Sequence, residues 1–119
     1  MPLLVAVRDL LFRSKIDEAA RRVGVGVRFA PRDRPLADAV RELGRGTLLA
    51  DLNAPQAMDA LRAAQAAGTV KAIGYLGHLQ QDLADAAAAM GAEVLTRGQL
   101  VARLDVLLRD AGEPSSPPA

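Results

Sequence analysis

The sequence predicts an α/β fold in which a five-stranded parallel sheet carries helices on both faces, and two patterns predict it. Five short apolar runs alternate with five longer stretches of helical period, joined by connections of a few residues. The first run, Leu3 to Val7, is continuous instead of alternating with polar residues, which is how a strand reads when neither of its faces meets water. Five βα units in series are satisfied by right-handed crossovers in the strand order 2-1-3-4-5. A length of 119 residues suits one domain, and 50% hydrophobic against 24% charged residues is enough apolar surface to offset chain entropy.

Strand one is Leu3–Val7. In helix one, Ile16, Ala19, Ala20 and Val23 share a face, and Gly24 stands where a C-terminal cap belongs. Val25 to Ala30 reads as a second strand, interrupted by Gly26 and Arg28 as suits a sheet edge. Pro31 and Pro35 bracket a turn, and Leu36, Val40 and Leu43 mark helix two. Thr47 to Ala50 forms strand three and ends on Asp51; helix three starts near Pro55 and stops at Gly68. Val70 to Tyr75 is strand four. Leu79 to Met90 is helix four, whose alanine run Ala86 to Ala89 has high helix propensity and little bulk. Glu93 to Thr96 is strand five, and Leu100, Val101, Leu104, Leu107 and Leu108 give helix five its apolar stripe. The domain is expected to span 1–111, and 112–119, rich in Pro and Ser, is expected to be a disordered tail.

Composition removes several function classes. Fifteen Lys and Arg against fourteen Asp and Glu leave a net charge of +1, too balanced to steer the chain to nucleic acid or an anionic membrane. No apolar run reaches the roughly 18 residues of a membrane helix, and Arg8 and Asp9 cut short any leader-like segment. With no cysteine there is neither a disulfide nor a thiolate site, and a cytoplasmic location is expected. Three aromatic residues leave little to stack a base or a flavin ring. The Gly24–Gly26 and Gly44–Gly46 pairs lack the third glycine of a dinucleotide fingerprint, and no hydrolase triad is indicated, so an enzyme is not expected.

In an open parallel sheet the functional crevice lies at the carboxyl ends of the strands, beside the switch in strand order, and the sequence puts Arg8, Asp9 and Asp51 there. Asp51-Leu52-Asn53-Ala54-Pro55, directly after strand three, resembles the phosphoacceptor loop of bacterial response-regulator receiver domains of the chemotaxis-regulator type. Leu3 to Asp110 agrees with their flavodoxin-like (βα)5 three-layer fold in length and element order. The resemblance implies a single-domain receiver in phosphorelay signalling. Asp51 would take a phosphoryl group from a partner histidine kinase, with Mg²⁺ held by Asp51, by Asp9 and by the backbone carbonyl of Asn53. A hard cation is what lets one anion attack another.

By the same resemblance Arg97 takes the place of a lysine, Tyr75 corresponds to an aromatic that swings between buried and exposed positions, and His78, the only histidine, lies in the loop on the same edge. The partner would be a protein, a sensor kinase or a downstream effector, bound on the face of helix four, strand five and helix five; a homodimer is the other assembly open to it. The chain departs from the pattern in three places. Arg8-Asp9 stands where two adjacent acids are usual, no hydroxyl residue follows strand four, and Arg97 is followed by Gly98 instead of proline. Two other readings stay open: a phosphorylation-independent pseudo-receiver adaptor in which Arg8 neutralises Asp51, and a small-ligand-binding protein using the same crevice. At single residues, Asp9 can equally cap helix one, Asp51 can cap helix three or bridge to Arg97, and Tyr75 can simply pack.

Overall fold

The computed structural model describes residues 2–77 and 80–114. Along the chain these form β1 (Leu3–Ala6), α1 (Leu10–Val23), β2 (Val25–Gly26), β3 (Arg28–Phe29), α2 (Leu36–Leu43) and β4 (Gly46–Asp51). There follow α3 (Ala57–Ala67), β5 (Val70–Leu76), α4 (Gln81–Ala89), β6 (Glu93–Thr96), α5 (Arg97–Ala111) and β7 (Glu113–Pro114). Five strands make one parallel sheet in the order β3-β1-β4-β5-β6. Numbered among themselves these are 2-1-3-4-5, the order that the alternation of apolar runs and helices predicts.

The uninterrupted apolar runs sort by parity into two cores. Leu3, Val5, Leu49, Ile73 and Tyr75 point to the side covered by α1 and α5, where Phe12, Ile16, Leu100, Leu104 and Leu108 are buried. Leu4, Leu48, Ala50, Ala72 and Leu76 point to the other side, against Val40, Leu61, Ala64 and Ala87 of α2, α3 and α4. Side chains of a strand alternate between faces, so a strand covered twice needs no polar positions.

The helices end where their sequence says they should. Gly24 closes α1 in the left-handed region, at φ 80°, and its N–H donates to the carbonyls of Ala20 and Arg21; a side chain there is strained. Helix α5 opens with a capping box: Thr96 Oγ1 accepts from Gln99 N at 3.1 Å, and Gln99 Oε1 accepts from Thr96 N at 2.9 Å. Helix α3 begins at Ala57, two residues later than the proline signal predicts, because the loop before it is taken up by a turn from Asp51 to Ala54.

The predicted second strand divides into two. Arg28–Phe29 pairs with β1, whereas Val25–Gly26 turns away and pairs antiparallel with Glu113–Pro114. The start of the segment expected to be a free tail is thus tied by its backbone to the chain after α1; 115–119 lie outside the described residues. On α4 only Ala87 is buried, with Leu83 and Ala84 half-buried beside it, as expected of a helix built from small side chains.

Gly74 on β5 holds the Asp51 loop down. Leu52, 2% exposed, lies across it, and a Cβ at Gly74 would meet three atoms of that side chain at 2.5, 2.7 and 2.8 Å. The loop is also fixed by Leu52 N, which donates to Tyr75 O at 3.0 Å. Gly74→Ala should therefore cost about 1–3 kcal/mol, the range for overpacking a filled core, read as a lower midpoint in urea unfolding. Leu52→Ala in the same background should recover part of that loss, since the two changes share one space.

Candidate functional site

The carboxyl edge of the sheet brings together Asp9, Asp51, Tyr75 and Arg97. Asp9 is the N-cap of α1: Oδ1 accepts from Leu11 N at 2.9 Å and from Phe12 N at 3.3 Å. Its other oxygen, Oδ2, accepts from Arg97 Nη2 at 2.9 Å. Arg97 is the first residue of α5, where the helix dipole disfavours a cation, so a carboxylate beside it is a natural partner. The Arg97 guanidinium also lies 4.4 Å over the Phe12 ring, and Phe12 meets the Tyr75 ring edge-on with centroids 5.3 Å apart.

Asp51 is half-buried at the end of β4, on the same sheet face as Leu49, and is paired in register with Tyr75 of β5. Its Oδ1 accepts from Asn53 N at 2.9 Å, and Asp51 O accepts from Ala54 N at 3.1 Å, so the Asp-x-Asn segment closes on itself as a turn. Among the described residues no cation stands within ion-pair distance of Asp51.

Tyr75 shows that the charges converge. Its phenol is pushed well above the usual tyrosine range, first by burial and next by the Asp51 carboxylate, with Arg97 opposing and Asp9 adding to the rise. The ring is 3% exposed and packed on Phe12, so Tyr75 is held as a core residue at the floor of the site. His78 lies outside the described residues.

The geometry bears on two of the readings left open by the sequence. Arg8 does not pair with Asp51; its side chain is exposed and lines a separate crevice, and the cation that meets a carboxylate here is Arg97, through Asp9. The carboxylates that the resemblance assigns to Mg²⁺ are already engaged in part by the protein itself. Among the described residues no group of three acidic or metal-binding side chains converges. Asp9 has both oxygens engaged, one by helix N–H groups and one by a guanidinium. Asp51 has one oxygen turned to its own loop, and Asn53 meets that carboxylate through its N–H. A divalent cation bound to Asp9 would have to take an oxygen from either the Arg97 guanidinium or the α1 amides.

Phe12 is the residue of this site that sequence reasoning missed. Its signal was its place, three residues after the Asp9 cap, which directs the ring from the first turn of α1 toward the start of α5.

Arg97 holds the Asp9 carboxyl below the usual carboxylate range, helped by the Phe12 and Leu11 amides. A lowered pKa favours the folded state above the unfolded carboxylate value of about 3.9, and that advantage is lost as pH falls through the lower folded value. Asp9→Asn keeps a good N-cap and removes the charge. Thermal melts should therefore show it less stable than the parent near neutrality, with the gap closing in acid. The single tyrosine gives a second measurement, because its phenolate absorbance should appear on alkaline titration only as the fold opens, well beyond the ordinary value of about 10.

No family model matches the chain, and no curated protein matches it in sequence. Solved structures do match. The signal receiver domain of NarL from Mycobacterium tuberculosis superposes with a TM-score of 0.74 at 16% identity, over 92% of this chain and 93% of that one. The isolated receiver domain of RcsB from Salmonella enterica serovar Typhimurium, solved with a phosphomimetic beryllofluoride, gives 0.69 at 13% identity over 92% and 86%. A response-regulator receiver domain from Rhodospirillum rubrum gives 0.62 at 16% identity over 98% and 99%. These likenesses cover 92% or more of the chain, and with the strand order and the two helical layers they show that this chain has the receiver-domain fold.

Proposed function

We propose that the protein is a pseudo-receiver: a receiver-fold module that works in signal transduction by binding another protein, without a metal-dependent phosphoryl cycle. The Arg97–Asp9 contact of 2.9 Å carries the reading. Transfer of a phosphoryl group to a carboxylate brings anions together, and a divalent cation with open coordination positions makes this possible by binding carboxylate and phosphoryl oxygens at once. Here the positive charge beside Asp9 is a guanidinium, fixed by that carboxylate and by the Phe12 face. A guanidinium offers directed N–H donors and no coordination site, so it neutralises Asp9 without assembling an acceptor centre.

The partner is a protein, a sensor kinase or an effector, and the face of α4, β6 and α5 suits it. Val106 of α5 is 57% exposed there, one turn beyond Arg103, which pairs with Glu93 of β6, so an apolar side chain and an ion pair lie side by side on this face.

Acetyl phosphate with Mg²⁺, followed by intact mass measurement, tests the reading. The mass should stay that of the unmodified chain, and beryllofluoride with Mg²⁺ should leave the melting temperature unchanged. A labile phosphoryl adduct that Asp51→Asn abolishes would overturn the proposal and restore Asp51 as an acceptor.

A further inference from the structure

A second feature lies at the same end of the sheet but shares none of Asp9, Asp51, Tyr75 or Arg97. Between the ends of β1 and β3 and the loops that lead into α2 and α3 is a crevice of about 500 Å³. Four arginines line it, Arg8, Arg13, Arg32 and Arg34, and no carboxylate does. Arg13 is held over the Phe29 ring at 4.2 Å, and Arg34 is paired with Glu42 from outside the crevice, with Asp33 and Asp38 acting on it at longer range. Arg8 and Arg32 are both exposed and, among the described residues, make neither an ion pair nor a hydrogen bond.

Cations gathered in a concave site with no acid among them repel one another and concentrate anions from solution. The planar fork of arginine matches phosphate oxygens in pairs. The walls are not all charged: Pro31 and Pro55 stand at the opening and Leu36 lies beneath. The loop before α3 is also pre-set, since Gln56 Oε1 accepts from Leu36 N at 2.6 Å and ties the two loops of the crevice together. Volume, position at the carboxyl ends of the strands and a mixed apolar and cationic lining agree with a small-molecule site.

We propose that this crevice binds a small organic phosphate, with the anionic end on Arg8 and Arg32 and the organic part against Pro31 and Pro55. Binding here is independent of whether Asp51 accepts a phosphoryl group: it needs no metal and leaves the protein mass unchanged.

Titration calorimetry with ADP and with inorganic pyrophosphate, both in EDTA, tests the proposal. ADP should bind saturably at one site and more tightly than pyrophosphate. The double variant Arg8→Gln, Arg32→Gln should weaken ADP at least tenfold, while Arg45→Gln, an exposed arginine before β4 at the opposite sheet edge, should leave it unchanged. Amide resonances of Ala54 and Gln56 in the unmodified protein should shift as ADP is added, a readout that does not depend on any variant folding. Absence of saturable ADP binding overturns the site, as does an equal loss in Arg45→Gln, which marks diffuse attraction to a basic surface. Pyrophosphate binding as tightly as ADP overturns the assignment of an organic ligand.

Discussion

The Asp9 carboxylate joins the starts of α1 and α5, which farther along are also bridged by Arg22 and Asp105. One oxygen completes the first turn of α1 and the other holds the first residue of α5, so the N-termini of both helices on one sheet face meet at a single group. Arg97 would be poorly placed without it, a cation at the positive end of a dipole. With it, the guanidinium settles over Phe12, Phe12 sets the edge of Tyr75, and Tyr75 sits opposite Asp51 in the β4–β5 ladder. The electrostatic character of the strand ends follows from that sequence of contacts. Two carboxylates against one guanidinium leave one negative charge over, and the guanidinium is committed to Asp9.

The Asp51 loop has one foot on each side of the sheet. Asp51 shares its face with Tyr75 and the α1–α5 layer, while the next residue, Leu52, is buried in the opposite core against Gly74. Strand alternation makes this division unavoidable, and the absence of a side chain at Gly74 makes room for it. The loop is therefore coupled to both helical layers by two consecutive residues.

Much of this was legible in the sequence because it rests on periodicity. Doubly covered strands read as continuous apolar runs, helices as spaced ones, and Gly24 as a cap, and these set the sheet order and the residues at its carboxyl edge. The placement of Asp9 and Arg97 on that edge was legible for the same reason. Their contact was not, since it joins residues 88 positions apart through side-chain directions that no local pattern encodes. The sequence likewise left Arg8 open between two roles, because a residue just past a strand end can face either layer. The division of Val25 to Phe29 was hidden because its partner is a two-residue stretch after α5 with no strand pattern of its own.

Helix α4 meets the sheet through one buried alanine and two half-buried neighbours. Bulky side chains interlock helices with the layer below by seating ridges in grooves, and a smooth run of methyl groups has few such teeth. Its seat on the sheet therefore rests on small side chains, and few of its contacts are interlocked. A protein that grips this edge meets a smooth, lightly seated helix next to α5, whose start the Thr96 capping box and the Arg97 anchor hold in place.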